Sequence, residues 1–251
     1  MPARLPQAGR KLPCEKCPLR SIKTLRDFTP EELAFVSQFK TGELNAEAGT
    51  TLLMQGTSSA HLYTVLSGWA FRYKTLPDGR RQILNFALPS DFLGLQGSVM
   101  QEMQHSVEAL TDMVLCVFNR DKLWDLYTKH PTLGFDVTWL ASREEQILDE
   151  HLLSIGRRTA VERIAYLLVH LFMRAEEVGM TQGDTAQFPF TQQHLADTLG
   201  MSLVHANKTL RRLSSAKVIR WTGRRFQILD REALLKTAGY EPPARIARPF
   251  I

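Results

Sequence analysis

Two groups of residues in this chain have the types and spacing to do chemistry. The first is a set of three cysteines: Cys14 and Cys17, two residues apart in Cys14-Glu15-Lys16-Cys17-Pro18, and Cys116 in Leu115-Cys116-Val117-Phe118. An odd number of cysteines with no signal-peptide pattern argues against a disulfide framework and leaves them as thiols or ligands. A close pair of thiols can exchange with a disulfide or take zinc with help from outside the chain. A lone cysteine among apolar neighbours, as Cys116 is, ordinarily packs as a small hydrophobe. The second group is Ser202-Leu203-Val204-His205-Ala206-Asn207-Lys208, followed by Arg211 and Arg212. An amide and cations on one helix face suit base edges and phosphates of duplex DNA. The seven histidines and scattered acids show no metal-ligand spacing, nucleophile elbow or phosphate-binding glycine loop, so no enzymatic activity is expected.

Charge supports the second group. The chain carries a formal +5, and its distribution is uneven: residues 188–251 hold eleven Lys or Arg against four Asp or Glu, a local +7, leaving −2 for the rest. A basic excess confined to one segment is the footprint of a polyanion-binding domain joined to a neutral one. At 44% hydrophobic and 23% charged the composition is globular, and no window of 18 apolar residues occurs. A soluble, cytoplasmic protein that meets no membrane is therefore expected.

The elements that must position these residues can be read from periodicity. Between residues 40 and 125, short apolar runs such as His61–Leu66, Trp69–Tyr73 and Gln82–Phe86 alternate with glycines and with the Pro77-Asp78-Gly79 turn, which predicts an antiparallel barrel or jelly roll. From Leu133 the period lengthens: Leu133, Val137, Leu140, Ile147, Leu148, Leu152 and Ile155 form a narrow apolar seam on a charged helix, ended at Gly156. Such a seam predicts self-association, with packing on the protein's own barrel as the alternative. Thr159 and Glu162 form a capping box for a next helix, to about Ala175, and a Gly- and Thr-rich stretch from Gly179 to Gln187 reads as a flexible surface connection.

Thr191 and Ser202 are placed to cap two helices with Gly200 at the turn between them, a helix-turn-helix with Ala196 small where the helices cross and a core of Leu195, Leu199, Met201, Ala206, Leu210 and Leu213. Val218–Trp221 and Arg225–Leu229 flank a Thr222-Gly223 turn as a basic wing. The expected DNA-contacting set is Thr191, Gln192, Ser202, Val204, His205, Asn207, Lys208, Arg211, Arg212 and Arg224.

This order of parts, from about Cys14 to Tyr240, resembles the CRP/FNR family of transcription regulators. The stretches Leu88-Pro89-Ser90-Asp91-Phe92-Leu93-Gly94 and Leu153-Ser154-Ile155-Gly156-Arg157-Arg158-Thr159-Ala160, with the Cys14–Cys17 pair, most resemble its FNR and FnrL-like oxygen-responsive branch. The resemblance implies an α+β chain: an N-terminal cyclic-nucleotide-binding-like β jelly-roll barrel, a long dimerisation helix and a C-terminal winged helix-turn-helix. Residues 1–28 would be a cysteine-bearing arm, 29–130 the sensory barrel, 131–156 the dimerisation helix, 157–240 the DNA-binding domain and 241–251 a tail. It also implies a homodimer on double-stranded promoter DNA with half-sites roughly 34 Å apart, and contact with RNA polymerase.

Three departures from the family pattern matter. Members that bind cyclic AMP resemble Phe-x-Gly-Glu-Leu followed by Arg-Ser, whereas this chain has Phe92-Leu93-Gly94-Leu95-Gln96 and His105-Ser106. Loss of the carboxylate and guanidinium removes the charge-assisted contacts to that ligand. Gly94, Leu95, His105 and Ser106 are left as a pocket for some other small ligand. Cys14, Cys17 and Cys116 resemble three of the four ligands of an iron–sulfur cluster, but the remaining arm position falls on Leu25, Phe28 or Lys23, so Asp27, another oxygen ligand or an exogenous thiol would have to take the fourth corner. Where relatives present a glutamate early in the recognition helix, this chain has Val204, which implies a distinct operator: Val204 against a thymine methyl, Asn207 on adenine, Lys208 on guanine.

Overall fold

A computed structural model of the chain describes residues 12–242 and 247–251; residues 1–11 of the expected arm and 243–246 of the expected tail, Arg245 among them, lie outside the described residues. Two compact units emerge, one of residues 12–72, 87–144 and 247–251, the other of residues 73–86 and 145–242. That division differs from the linear order of expected domains. A hairpin from the barrel stretch groups with the C-terminal unit, and the last five residues of the tail group with the barrel.

In the first unit Thr29 opens helix α1 (Pro30–Phe39) with a capping box, its hydroxyl accepting from the Glu32 N–H while the Glu32 carboxylate accepts from the Thr29 N–H at 2.9 Å. Strands β1 (Lys40–Ala46), β2 (Thr51–Leu53), β3 (His61–Ser67) and β4 (Ala70–Thr75) follow, then β5 (Arg81–Ala87), nearly all of which is assigned to the second unit, β6 (Phe92–Leu93), helix α2 (Leu95–Met100) and strands β7 (Ser106–Ala109) and β8 (Met113–Asn119). They form two sheets, in the orders β1-β8-β3-β6 and β2-β7-β4-β5, the expected jelly-roll arrangement. Gly68 turns the chain between β3 and β4 at φ +90°, where a Cβ would lie 2.5 Å from the Asp112 carbonyl oxygen, so only glycine is accommodated there.

The period-2 alternation of the central strands decides what faces what. Tyr63 and Val65 of β3, with Met113 and Leu115 of β8, point into a core shared with Leu93, Met103 and Val107. Leu62 and Leu66, with Val114, Cys116 and Phe118, point the other way, onto the N-terminal arm, α1, helix α3 (Leu123–Lys129) and the start of helix α4 (Pro131–Arg157).

Helix α4 corrects two readings of its seam. Leu133, Val137 and Leu140 are buried in the barrel unit's own core, whereas Leu148 and Leu152 are 40% and 72% exposed, so one seam serves two purposes in succession. Gly156 does not end the helix. It stays helical, and the chain breaks only where Thr159 adopts extended geometry to cap α5 (Ala160–Glu177).

Arg26 ties the arm, α1 and α4 together by pairing with both Glu32 (2.9 Å) and Asp136, and Thr132 adds its hydroxyl to Glu32 at 2.9 Å. Burial alone would push the Glu32 carboxyl up, but Arg26, the Thr29 N–H and Thr132 outweigh it and hold the group at about 2. A carboxylate depressed in the folded state stabilises fully above its unfolded value near 4.5, and that contribution is lost as pH falls through about 2. Glu32→Gln is therefore expected to cost about 1–3 kcal/mol at neutral pH and to flatten the fall in stability between pH 4.5 and 2, as measured by urea unfolding. An acid limb identical to that of the parent would remove Glu32 from this role.

In the second unit the stretch Gly179–Gln187, expected to be a flexible loop, instead forms strands β9 (Thr181–Gln182) and β10 (Thr185–Gln187). These join the wing strands β11 (Ile219–Thr222) and β12 (Arg225–Ile228) in one sheet ordered β11-β12-β10-β9. Ala186 and Phe188 are buried, and the Phe188 ring stacks on Phe226 with centroids 4.7 Å apart, which explains why a polar-looking segment is held. The hairpin of residues 73–86 belongs here because the buried Arg174 of α5 donates to the Phe86 carbonyl (2.8 Å) and Arg81 pairs with Asp197 (2.9 Å). Helices α6 (Gln192–Leu199), α7 (Leu203–Ser215) and α8 (Arg231–Ala238) complete the unit.

Candidate nucleic-acid interface and cysteine pocket

Local chemistry builds the helix pair. The Thr191 hydroxyl accepts from the His194 N–H (3.3 Å), and Gly200 ends α6 at φ +61°, a left-handed position suited to glycine. The Ser202 hydroxyl accepts from the His205 N–H (3.2 Å), which opens α7. Leu195, Ala196, Leu199, Ala206, Leu210 and Leu213 are buried, and Met201 is half-buried.

This packing turns one face of α7 outward. Val204 is 78% exposed, and His205, Lys208, Arg211 and Arg212 are exposed with it, as are Thr191, Gln192 and Ser202 at the starts of the two helices. No acid occurs in α7, so the face is cationic throughout. Asn207 departs from expectation: it is half-buried, and its Oδ1 is buried without a hydrogen-bond partner. The wing turns at Gly223 (φ +59°) and exposes Arg220, Arg224 and Arg225, the first and last of which belong with the expected Arg224.

Two cations of the basic segment serve structure instead. Arg231 pairs with Glu176 (3.1 Å) and Asp184 (2.9 Å), and Arg248 is buried in the barrel unit against Asp91. The local excess counted over residues 188–251 therefore overstates what faces a polyanion, although the exposed set on α7 and the wing is intact.

The three cysteines line one pocket of the barrel unit, Cys14 and Cys17 half-buried and Cys116 buried. Cys116 reaches it because β8 alternation puts it on the arm side, opposite Thr64 in the β3–β8 register. Burial pushes the Cys17 thiol up and the Cys116 thiol to about 12, with Lys40 offsetting only part of this. Both are protonated at neutral pH and poor nucleophiles in this arrangement.

A cuboidal cluster takes four ligands. Beyond the three sulfurs, the wall consists of Leu19, Phe28, Val36, Thr64, Leu66, Phe118, Phe250 and Ile251. Asp27, the internal candidate for the fourth corner, is not among them: it is exposed, paired with Arg20 at 2.8 Å and accepting from the Phe28 N–H. Leu25 and Phe28 are core residues. Among the described residues no group of three His, Cys, Asp or Glu closes on a single metal ion. The three thiols thus share one pocket without meeting there as a metal-binding group, and Asp27 does not supply a fourth ligand.

At the barrel's other expected site, Gly94 caps α2 at φ +94°, Leu95 is half-buried, and His105 and Ser106 are 7% and 8% exposed. The Ser106 hydroxyl accepts from the Gln55 N–H at 3.0 Å.

Sequence reasoning missed Thr64, Phe250 and Ile251 as walls of the cysteine pocket. Thr64 was within reach, since it shares strand parity with the alternating residues of β3 that face Cys116. No short-range signal points to the tail.

Comparison with known proteins agrees with both halves. Residues 43–130 match the cyclic nucleotide-binding domain, and residues 162–237 match the Crp-like helix-turn-helix domain. The chain is 32% identical over 230 residues to the transcriptional activator protein FnrL of Cereibacter sphaeroides, covering 90% of this chain and 92% of that one. It is 30% identical over 201 residues to the nitrogen fixation regulation protein FixK of Bradyrhizobium diazoefficiens, covering 80% and 83%. In three dimensions it is similar to FixK2 from Bradyrhizobium japonicum, with a TM-score of 0.72 at 23% identity over 80% of this chain and 98% of that one.

Proposed function

The chain belongs to the CRP/FNR family of transcription regulators, and from that premise we propose that it binds promoter DNA as a homodimer and responds to oxygen or redox state through its cysteine pocket. The observation that carries the DNA reading is the outward, acid-free face of α7 beside three exposed wing arginines. Val204, His205 and Lys208 face the major groove at its base edges, Asn207 joins them by rotating an amide whose Oδ1 has no partner, and Arg211, Arg212 and Arg224 neutralise phosphates. Ser202 and Thr191 orient helix starts whose free N–H groups favour phosphate.

The signal is not cyclic AMP, because Leu95 and His105 supply neither the acid nor the guanidinium such a ligand needs. It enters at the pocket shared by Cys14, Cys17 and Cys116; an iron–sulfur cluster there would take these three as ligands and need an exogenous thiol for the fourth corner. The response is a population shift between DNA-competent and incompetent dimers. The relatives named above are regulators, and this chain is read as acting without a reaction of its own. No helix among the described residues is long and apolar enough to cross a membrane; the cytoplasm and contact with RNA polymerase complete the reading.

One experiment tests both parts: promoter affinity titrated against salt, anaerobically and after air exposure, for the parent and Arg224→Ala. Log affinity should fall linearly with log salt, the slope should ease by about 0.9 per lost phosphate contact in the variant, and air should change the parent's affinity. A salt-independent affinity would remove the DNA interface, and an air-insensitive one the redox reading.

A further inference from the structure

The last residues of the chain follow α8 in sequence yet belong to the barrel unit. The Arg248 N–H donates to the Thr24 carbonyl (2.9 Å), and the Arg248 carbonyl accepts from the Arg26 N–H (2.8 Å), a parallel bridge of tail on arm. The Arg248 guanidinium pairs with Asp91, which is only 1% exposed and also accepts from the Leu88 N–H (2.8 Å). Pro249, which has no N–H to satisfy, is buried beside it. The Phe250 ring lies 4.7 Å from that of Phe28, and the Ile251 carbonyl accepts from the Thr64 hydroxyl. Phe250 and Ile251 are 2% and 3% exposed and line the same pocket as the three cysteines.

We propose that the barrel carries a groove for a short peptide of the form Arg-Pro-aromatic-aliphatic, that residues 247–251 of this chain are its occupant, and that this occupant is a removable cover over the three thiols. Each anchor has its own receptor: a buried carboxylate for the cation, the arm backbone for the strand, Phe28 for the ring, and Thr64 for the following carbonyl. Selectivity comes from Asp91, whose buried carboxylate takes the Arg248 guanidinium, so an uncharged tail forgoes a charge-assisted contact. Removability follows from the pairing. The tail contributes one bridge and no barrel strand depends on it, since β3 is held by β8 and β6.

When the groove is filled, Phe250 and Ile251 supply part of the apolar wall that keeps the thiols out of water; when it empties, reagents reach them. The tail governs access to the thiols whether or not they carry the signal.

The test is the rate of iodoacetamide alkylation at each cysteine, followed by mass spectrometry on the full-length protein. Arg248→Glu and Phe250→Ala should each accelerate modification of Cys17 and Cys116 by about tenfold or more. A synthetic peptide of residues 247–251 added to Phe250→Ala should slow it again, while a scrambled peptide should not. Val107→Ala, which opens a gap in the barrel's other core, serves as the control for general destabilisation. Equal rates in parent and tail variants overturn the proposal, as does acceleration in Val107→Ala matching that in Phe250→Ala with no peptide effect.

Discussion

Replacing Asn207 and Lys208 together with alanine is expected to lower affinity for the cognate operator by about 2–5 kcal/mol, from roughly thirtyfold to several thousandfold, since each well-placed base contact is worth about 1–3 kcal/mol. The two losses differ in kind. Lys208 is exposed on a face without acids, so its removal weakens binding to any duplex as well as discrimination at its own base. Asn207 is half-buried with an unpartnered Oδ1, so in free protein its amide has an unmet acceptor, and rotation onto an adenine edge gives both of its polar atoms partners at once. Its removal should therefore cost specificity more than general affinity. Electrophoretic or anisotropy titrations against operator and scrambled DNA separate the two, and full retention of operator preference in the double variant would show that recognition lies elsewhere.

How much of this was legible in the sequence follows from how local each feature is. The caps at Thr159, Thr191 and Ser202, the Gly200 turn and the wing at Gly223 are set by side chains within three or four residues of the backbone they satisfy, and each appears where the sequence places it. The barrel strands were legible because alternation is itself a local pattern, and the same alternation sends Cys116 toward the arm. What failed was non-local. Residues 179–187 look like a loop because nothing among them shows that Phe226, some forty residues on, will stack on Phe188 and hold a hairpin beside the wing. The seam of α4 reads as one stripe, since periodicity records that Leu133 and Leu152 are apolar on one side and not what covers each. The tail was opaque for the same reason: the partners of Arg248 and Ile251, Asp91 and Thr64, lie more than 150 residues away.

On the proposed homodimer, the split seam limits where subunits can pair. Leu133, Val137 and Leu140 are already buried, so self-association has to use what they leave outside: Phe135 at 69% exposed, with Leu148, Leu152 and Leu153 further along α4. Leu148 and Leu152 stand one turn apart on one helical face, the spacing by which a helix meets its symmetry mate. Leu148→Glu with Leu152→Glu removes apolar burial worth about 1.5–3 kcal/mol per leucine in each subunit and sets like charges across the two-fold axis. The expected result is a monomer at micromolar concentration in sedimentation equilibrium, with the barrel core unchanged because neither residue belongs to it. DNA binding should fall further than the loss of any single base contact explains, by roughly two to four orders of magnitude, because a monomer engages one half-site without the high effective concentration its partner provides. A dimer that survives both substitutions with its operator affinity intact would mean that α4 pairs through Phe135 alone or not at all, and the two-fold reading of the DNA site would go with it.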